Sequence, residues 1–257
     1  MDNVLPFLAS PVPLAFAHRG FSPEGLENSL PAFHRAVALG YTHVETDVHT
    51  TADGVPVVFH DASLDRVTDA GGAIAGLTAA DVARARIGGT EPIPTLAQLI
   101  GALPGTRINL DIKDRGSVAA VARIIEDQAL HDRICVASFS DRRRRAVLRL
   151  LSRPVCSSAG ALCTAAFVAL SPWAPRWLLR RILHDVDCLQ VPVRYRFLPV
   201  VTARSVARAH ALGLQVHVWT INDAAQMHSL FDLGVDGVMT DRADVLAGVM
   251  RQRGYWT

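Results

Sequence analysis

Residues 14–61 read LAFAHRGFSPEGLENSLPAFHRAVALGYTHVETDVHTTADGVPVVFHD, and three short apolar runs inside this stretch decide the fold. Residues 14–17, 43–48 and 55–59 carry β-branched or aromatic side chains and are bounded by Gly, Pro or Asp, so each reads as a buried strand. The first run ends in His18-Arg19-Gly20, the second contains Glu45-Thr46-Asp47, and the third ends in His60-Asp61. Their polar ends are expected to meet at one edge of one sheet. Glu45 and Asp47, two residues apart, share a face of their strand. Two imidazoles, a guanidinium and two carboxylates at one edge suit metal-assisted acid/base chemistry on an anionic substrate.

Working outward, residues 29–40 read as a helix: Ser29 can cap it, Pro31 is tolerated in its first turn, Leu30, Phe33 and Val37 share a face, and Gly40 closes it. Strand, helix and strand in that order imply a parallel sheet. Residues 50–94 break the pattern with an Asp53-Gly54 turn, a Gly71-Gly72 pair and a short helix over 78–86, and read as an insertion over the mouth. The alternation then resumes. Strands are expected over 107–112, 134–139, 154–156, 188–192, 215–220 and 237–239, with helices from Thr95, over 117–128, from Arg142 to Leu151, and over 201–212 and 224–233. With 55–59 inside the insertion, eight barrel strands in 257 residues make one α/β domain, 1–257, a (β/α)8 TIM barrel with a small insertion after the second strand. Tyr255-Trp256-Thr257 has no assigned role.

Half the residues are hydrophobic, and 26 basic residues nearly balance 24 acidic ones. A net charge of +2 is too small to argue for nucleic acid or an anionic membrane as a partner, and membrane contact is not favoured. The N-terminus carries Asp2, lacks a basic region and is broken by Pro6, Pro11 and Pro13, so no signal peptide is read. With no apolar run of about 18 residues, the expected location is cytoplasmic. Cys135, Cys156, Cys163 and Cys188 show no CxxC spacing and read as structural thiols. Residues 161–184 are apolar, then basic, with Trp173 and Trp177. They have the makings of a membrane-surface helix, but Pro172 and Pro175 interrupt the pattern, which favours an ordinary barrel helix with an extended loop.

Catalytic groups of a TIM barrel sit at the C-terminal strand ends, where His18, Arg19, Glu45, Asp47, Asp111, Lys113, Ser138 and Trp219 all fall in this reading. Glu45, Asp47 and Asp111 are candidate metal ligands, an all-oxygen set suited to Mg²⁺ or Ca²⁺ rather than Zn²⁺. His18 and His60 are the candidate general acid and base, with neither role assigned to either ring. Asp61 is expected to orient the loop or the ring. Arg19 and Lys113 fit phosphate contacts, and Trp219 would wall the substrate pocket or pack over the barrel top. The other eight histidines, His217 among them, read as surface, core or supporting groups.

The ordered series His18-Arg19-Gly20, Glu27-Asn28, Glu45-Thr46-Asp47 and His60-Asp61 resembles the glycerophosphodiester phosphodiesterase family. The resemblance continues through Asn109–Lys113, Ser138-Phe139, Val216–Asn222 and Gly234–Asp241, and is weakest over 142–186. It implies a bacterial-type TIM barrel that hydrolyses a small glycerophosphodiester to sn-glycerol 3-phosphate and an alcohol with a divalent cation. It also implies that Glu27 lies near the metal or orients Arg19. The family usually has Glu where Asp111 stands, so this shorter carboxylate reaches a metal directly or through a water. Two other readings stay open: phospholipase D-like cleavage of lysophospholipids on the same barrel, and a non-catalytic phosphodiester-binding barrel. The oligomeric state is open as well.

Overall fold

The computed structural model describes residues 5–256; Asp2 and Thr257, both used in reading the termini, lie outside the described residues. Eight parallel strands form the barrel: β1 Leu14–His18, β2 His43–Thr50, β3 Arg107–Ile112, β4 Ile134–Ala137, β5 Cys156–Ser157, β6 Cys188–Val191, β7 Gln215–Val218 and β8 Gly237–Thr240. They pair in the order β5-β4-β3-β2-β1-β8-β7-β6. A parallel bridge between Ser158 and Cys188 closes the ring. This is a (β/α)8 barrel.

The caps act as the side-chain chemistry requires. Ser29 accepts a hydrogen bond from the Ala32 amide at the start of the helix Leu30–Ala38. Thr95 and Gln98 form a reciprocal capping box before Leu96–Ala102. Residues 161–184 form two helices, Ala161–Leu170 and Arg176–Ile182, because Pro172 and Pro175 stop one from running into the other. The helix Ala243–Gln252 is absent from the sequence reading; it buries Leu246, Ala247, Val249 and Met250 against the barrel. The tail follows it, and Trp256 packs edge-on against Tyr41 with ring centroids 4.9 Å apart.

The third apolar run reaches the mouth differently from a barrel strand. Pro56–Val58 pairs antiparallel with the end of β2, Val48 opposite Val58, so the chain doubles back and sets His60 beside Asp47. The rest of 50–94 packs around a small core of its own, which includes Val57, Phe59, Leu64, Ile74, Val82 and Ile87.

Two packing zones follow from strand alternation. Val44, Val48, Ile108, Leu110, Ile112 and Val136 face the helices in the main core. Phe7, Leu8, Phe16, Cys135, Cys156, Cys188 and Met239 fill the lower barrel interior. Above them Gln190 Nε2 donates to Asn109 Oδ1 at 2.9 Å, a bond that crosses the barrel between strands that are not neighbours.

Candidate active site

A sharp turn at the end of β1 builds the first corner of the site. Arg19 (φ 56°) and Gly20 (φ 82°) both occupy the left-handed region, and a Cβ on Gly20 would lie 2.7 Å from the Ala32 carbonyl carbon. Only glycine fits there. The turn lets the Arg19 amide donate to the Glu45 carbonyl (2.9 Å) while the Arg19 carbonyl accepts from the Asn28 amide (2.9 Å). Asn28, also left-handed at φ 62°, is buried; its Nδ2 donates to Asp47 Oδ2 (3.2 Å) and its Oδ1 accepts from Thr46 (2.8 Å). The loop that carries Arg19 is thus tied to the strand that carries the carboxylates.

Register brings the carboxylates together: His18 lies opposite Glu45, and Asp47 opposite Asp111. Lys113 Nζ sits between the two aspartates, 2.8 Å from Asp47 Oδ1 and 2.7 Å from Asp111 Oδ2. Arg19 Nε is 3.3 Å from Asp47 Oδ2, and its Nη1 donates to Glu27 Oε1 at 3.0 Å. Glu27 therefore contacts Arg19. Asp111 Oδ1 is buried with no hydrogen-bond partner.

Each imidazole is held by a carboxylate. His18 Nδ1 is 2.6 Å from Asp241 Oδ1, and His60 Nδ1 is 2.6 Å from Asp61 Oδ1. Asn222 Nδ2 donates to the other Asp241 oxygen at 3.0 Å. On the far side of its ring, His18 Nε2 is 3.7 Å from Glu45 Oε2. Arg66, a residue the sequence reading passes over, bridges Asp61 and Glu27, with Nη2 2.6 Å from Glu27 Oε1. His49 Nε2 donates to the His60 carbonyl (3.1 Å), and its Nδ1 lies 3.3 Å from Asp114, which steadies the hairpin under His60.

These neighbours set the charges. Burial and the adjacent Asp47 carboxylate push Glu45 up to about 8. Burial also opposes ionisation of Asp47, but Lys113 and Arg19 outweigh it and hold that carboxyl below its ordinary value. His18 loses hydration, yet Glu45 and Asp241 more than compensate and raise it. The Arg66 hydrogen bond pulls Asp61 down to about 2.

Trp219 follows β7 and meets Phe139 edge-on at 5.9 Å, and Lys113 lies over the Phe139 ring at 5.8 Å. His217 does not join the mouth; it is fully buried in the barrel interior, against Phe16. Two functional candidates lay outside the sequence reading's site, Asp241 and Arg66. Asp241 had a signal, a carboxylate directly after a strand. Arg66 had none, since it is one of several arginines in an irregular loop. A groove of about 640 Å³ beside Trp173 and Arg208 holds none of these groups.

Cations folded among carboxylates, with a carboxylate-backed imidazole on each side, suit an anionic ester, and on this fold they define the class of TIM-barrel phosphodiesterases. Comparison with known proteins narrows the class. A family profile described as "Glycerophosphoryl diester phosphodiesterase family" matches residues 18–245. A Mycobacterium tuberculosis protein described as "Probable glycerophosphodiester phosphodiesterase 2" is 43% identical over 244 residues, covering 95% of this chain and 92% of that protein. A human lysophospholipase D is 27% identical over 261 residues, covering 88% of this chain and 82% of the relative. An Oleispira antarctica phosphodiesterase, solved with the product sn-glycerol-3-phosphate, superposes with a TM-score of 0.76 at 25% identity, covering 93% and 97% of the two chains. The chain belongs to the glycerophosphoryl diester phosphodiesterase family, a family of phosphoric diester hydrolases.

Proposed function

We propose that this chain hydrolyses glycerophosphodiesters to sn-glycerol 3-phosphate and an alcohol, with His18 and His60 moving the protons. The observation that carries this reading is the pair of histidine–aspartate contacts, each 2.6 Å, on two sides of one carboxylate cradle. An aspartate at Nδ1 fixes the ring and leaves Nε2 for the reaction. One ring takes the proton of the attacking hydroxyl, that of water or of the glycerol C2 position; in the second case water then opens the cyclic phosphate to give glycerol 3-phosphate. The other protonates the alkoxide as it leaves phosphorus. Arg19 and Lys113 neutralise charge on the nonbridging oxygens, and Glu27 holds Arg19 in place. Trp219 walls the pocket.

Glu45, Asp47 and Asp111 fit a divalent cation of the Mg²⁺ or Ca²⁺ type, by an all-oxygen donor set, the unpartnered buried Asp111 Oδ1 and the proton-retaining crowding of Glu45. Among the described residues the three carboxylates are not all gathered within 4.8 Å of one another, and Lys113 sits between two of them. When bound, the cation would polarise the phosphate and lower the nucleophile's pKa. Residues 50–94 serve as the insertion that delivers His60, Asp61 and Arg66 to the mouth of a single catalytic barrel. No helix among the described residues is long and apolar enough to cross a membrane.

One observation favours a second substrate class. Phe139, Tyr195, Phe197 and Leu198, which follow β4 and β6 at the mouth end, are all exposed, and such a rim suits an acyl chain on the glycerol of the substrate. Both readings share one reaction. A panel running from glycerophosphocholine to lysophosphatidylcholine, assayed for glycerol 3-phosphate and for lysophosphatidic acid, separates them. A non-catalytic binder would turn over neither.

A further inference from the structure

Cys135, Cys156 and Cys188 stand at the starts of β4, β5 and β6, at the barrel end opposite the mouth. Their sulfur atoms all lie within 4.8 Å of one another, and all three residues are fully buried. They are free thiols, and a disulfide between any two would leave the third unpaired. Their spacings of about 20 and 30 residues match no metal motif, since only the closure of the barrel unites them.

A nitrogen donor adjoins them. His217 lies on β7, which pairs with β6 so that Gln215 stands opposite Cys188; His217 is fully buried, and its Nδ1 makes no hydrogen bond. The tautomer is fixed from outside. Gln215 Nε2 donates to the Leu8 carbonyl at 3.2 Å, so Gln215 Oε1 is the atom 3.0 Å from His217 Nε2. The Nε2 position must carry the proton, and Nδ1 keeps an unshared lone pair. This is the arrangement that prepares a histidine for a metal, with its other nitrogen donating to a carbonyl oxygen.

We propose that the Cys135, Cys156 and Cys188 triangle, with the His217 ring turning in as fourth donor on binding, forms a closed site for a thiophilic d10 cation of the Zn²⁺ class, which fastens β4, β5, β6 and β7 together beneath the active site. Three thiolates and one imidazole are a tetrahedral Cys₃His donor set. Binding releases the thiol protons to solvent, transfers no electrons, and satisfies the Nδ1 lone pair. Full burial means the ion enters during folding rather than by exchange. The proposal is independent of the chemistry assigned to the mouth.

The test uses the whole chain. Protein expressed with zinc and dialysed against EDTA should retain about one zinc per chain, the stoichiometry of a closed structural site. Protein unfolded, stripped and refolded anaerobically with Co²⁺ should show thiolate-to-cobalt charge-transfer absorption, with visible bands of tetrahedral intensity. Cys156→Ala and Cys188→Ala should lose both signals, and His217→Ala should shift the visible bands. If those variants fail to fold, the cobalt spectrum of the unmodified chain still decides. Refolded protein with native circular dichroism but no charge-transfer band would overturn the site, and so would zinc retained without that band, since oxygen ligands would then be holding it.

Discussion

Asp241 Oδ1 lies 2.6 Å from His18 Nδ1, joining the last barrel strand to the first across 223 residues of sequence. The same contact, made locally, joins Asp61 to His60. The His18 ring so held leaves Nε2 for the mouth and gains stability in its charged form. Asp241→Asn should lower kcat by about 10- to 100-fold, less than loss of the imidazole itself, since general acid–base groups contribute about 10²- to 10⁴-fold. Steady-state kinetics on glycerophosphocholine check this. Unchanged kcat would show that Asp241 positions nothing.

The same pair has a pH signature. Because folding raises the His18 pKa, its contribution to stability is complete below the ordinary value of 6.5 and fades as pH rises through the folded value. Asp241→Asn should therefore cost more thermal stability at pH 5.5 than at pH 9. Calorimetry at the two pH values measures the difference, and an equal loss at both would contradict the charged pairing.

Lys113 occupies one oxygen each of Asp47 and Asp111. If those oxygens also serve a cation, Lys113→Met should leave cation affinity unchanged or tighter while kcat/KM falls about 100-fold, the scale of one lost electrostatic stabiliser. Titration calorimetry with Mg²⁺ and Ca²⁺ reads the first quantity. Loss of cation affinity would mean that Lys113 organises the ligands rather than competing for them.

Glu45, raised to about 8, retains its proton at neutral pH while the cradle is empty. In that form, stability should fall as pH rises from about 4.5 toward about 8, because the folded chain binds the extra proton. A cation bound at pH 7 should expel close to one proton, visible as a dependence of binding enthalpy on buffer ionisation enthalpy. Chelation should abolish turnover and Mg²⁺ or Ca²⁺ should restore it. Full activity after exhaustive chelation would remove the carboxylates from the mechanism.

Much of the fold was legible because parallel strands bury both faces and so stand out as apolar runs, each with its charged terminus. Glu45, Asp47, Asp111 and Lys113 could be placed on one edge because each falls at the end of an apolar run, and two-residue spacing put Glu45 and Asp47 on one face. What could not be read depends on closure. Asp241 acquires meaning only when β8 returns beside β1, and the cysteine triangle only when β4, β5 and β6 lie side by side. Arg66 depends on the path of an irregular loop that no periodicity describes. The helix Ala243–Gln252 went unread, although its buried face is amphipathic like those of the earlier helices.

The central claim is that both imidazoles serve one phosphorus atom. The direct measurement is release of sn-glycerol 3-phosphate from glycerophosphocholine by His18→Ala and His60→Ala, each first shown to be folded by circular dichroism. The account predicts that each variant loses about 10²- to 10⁴-fold in kcat. Near-native release by either one would contradict it.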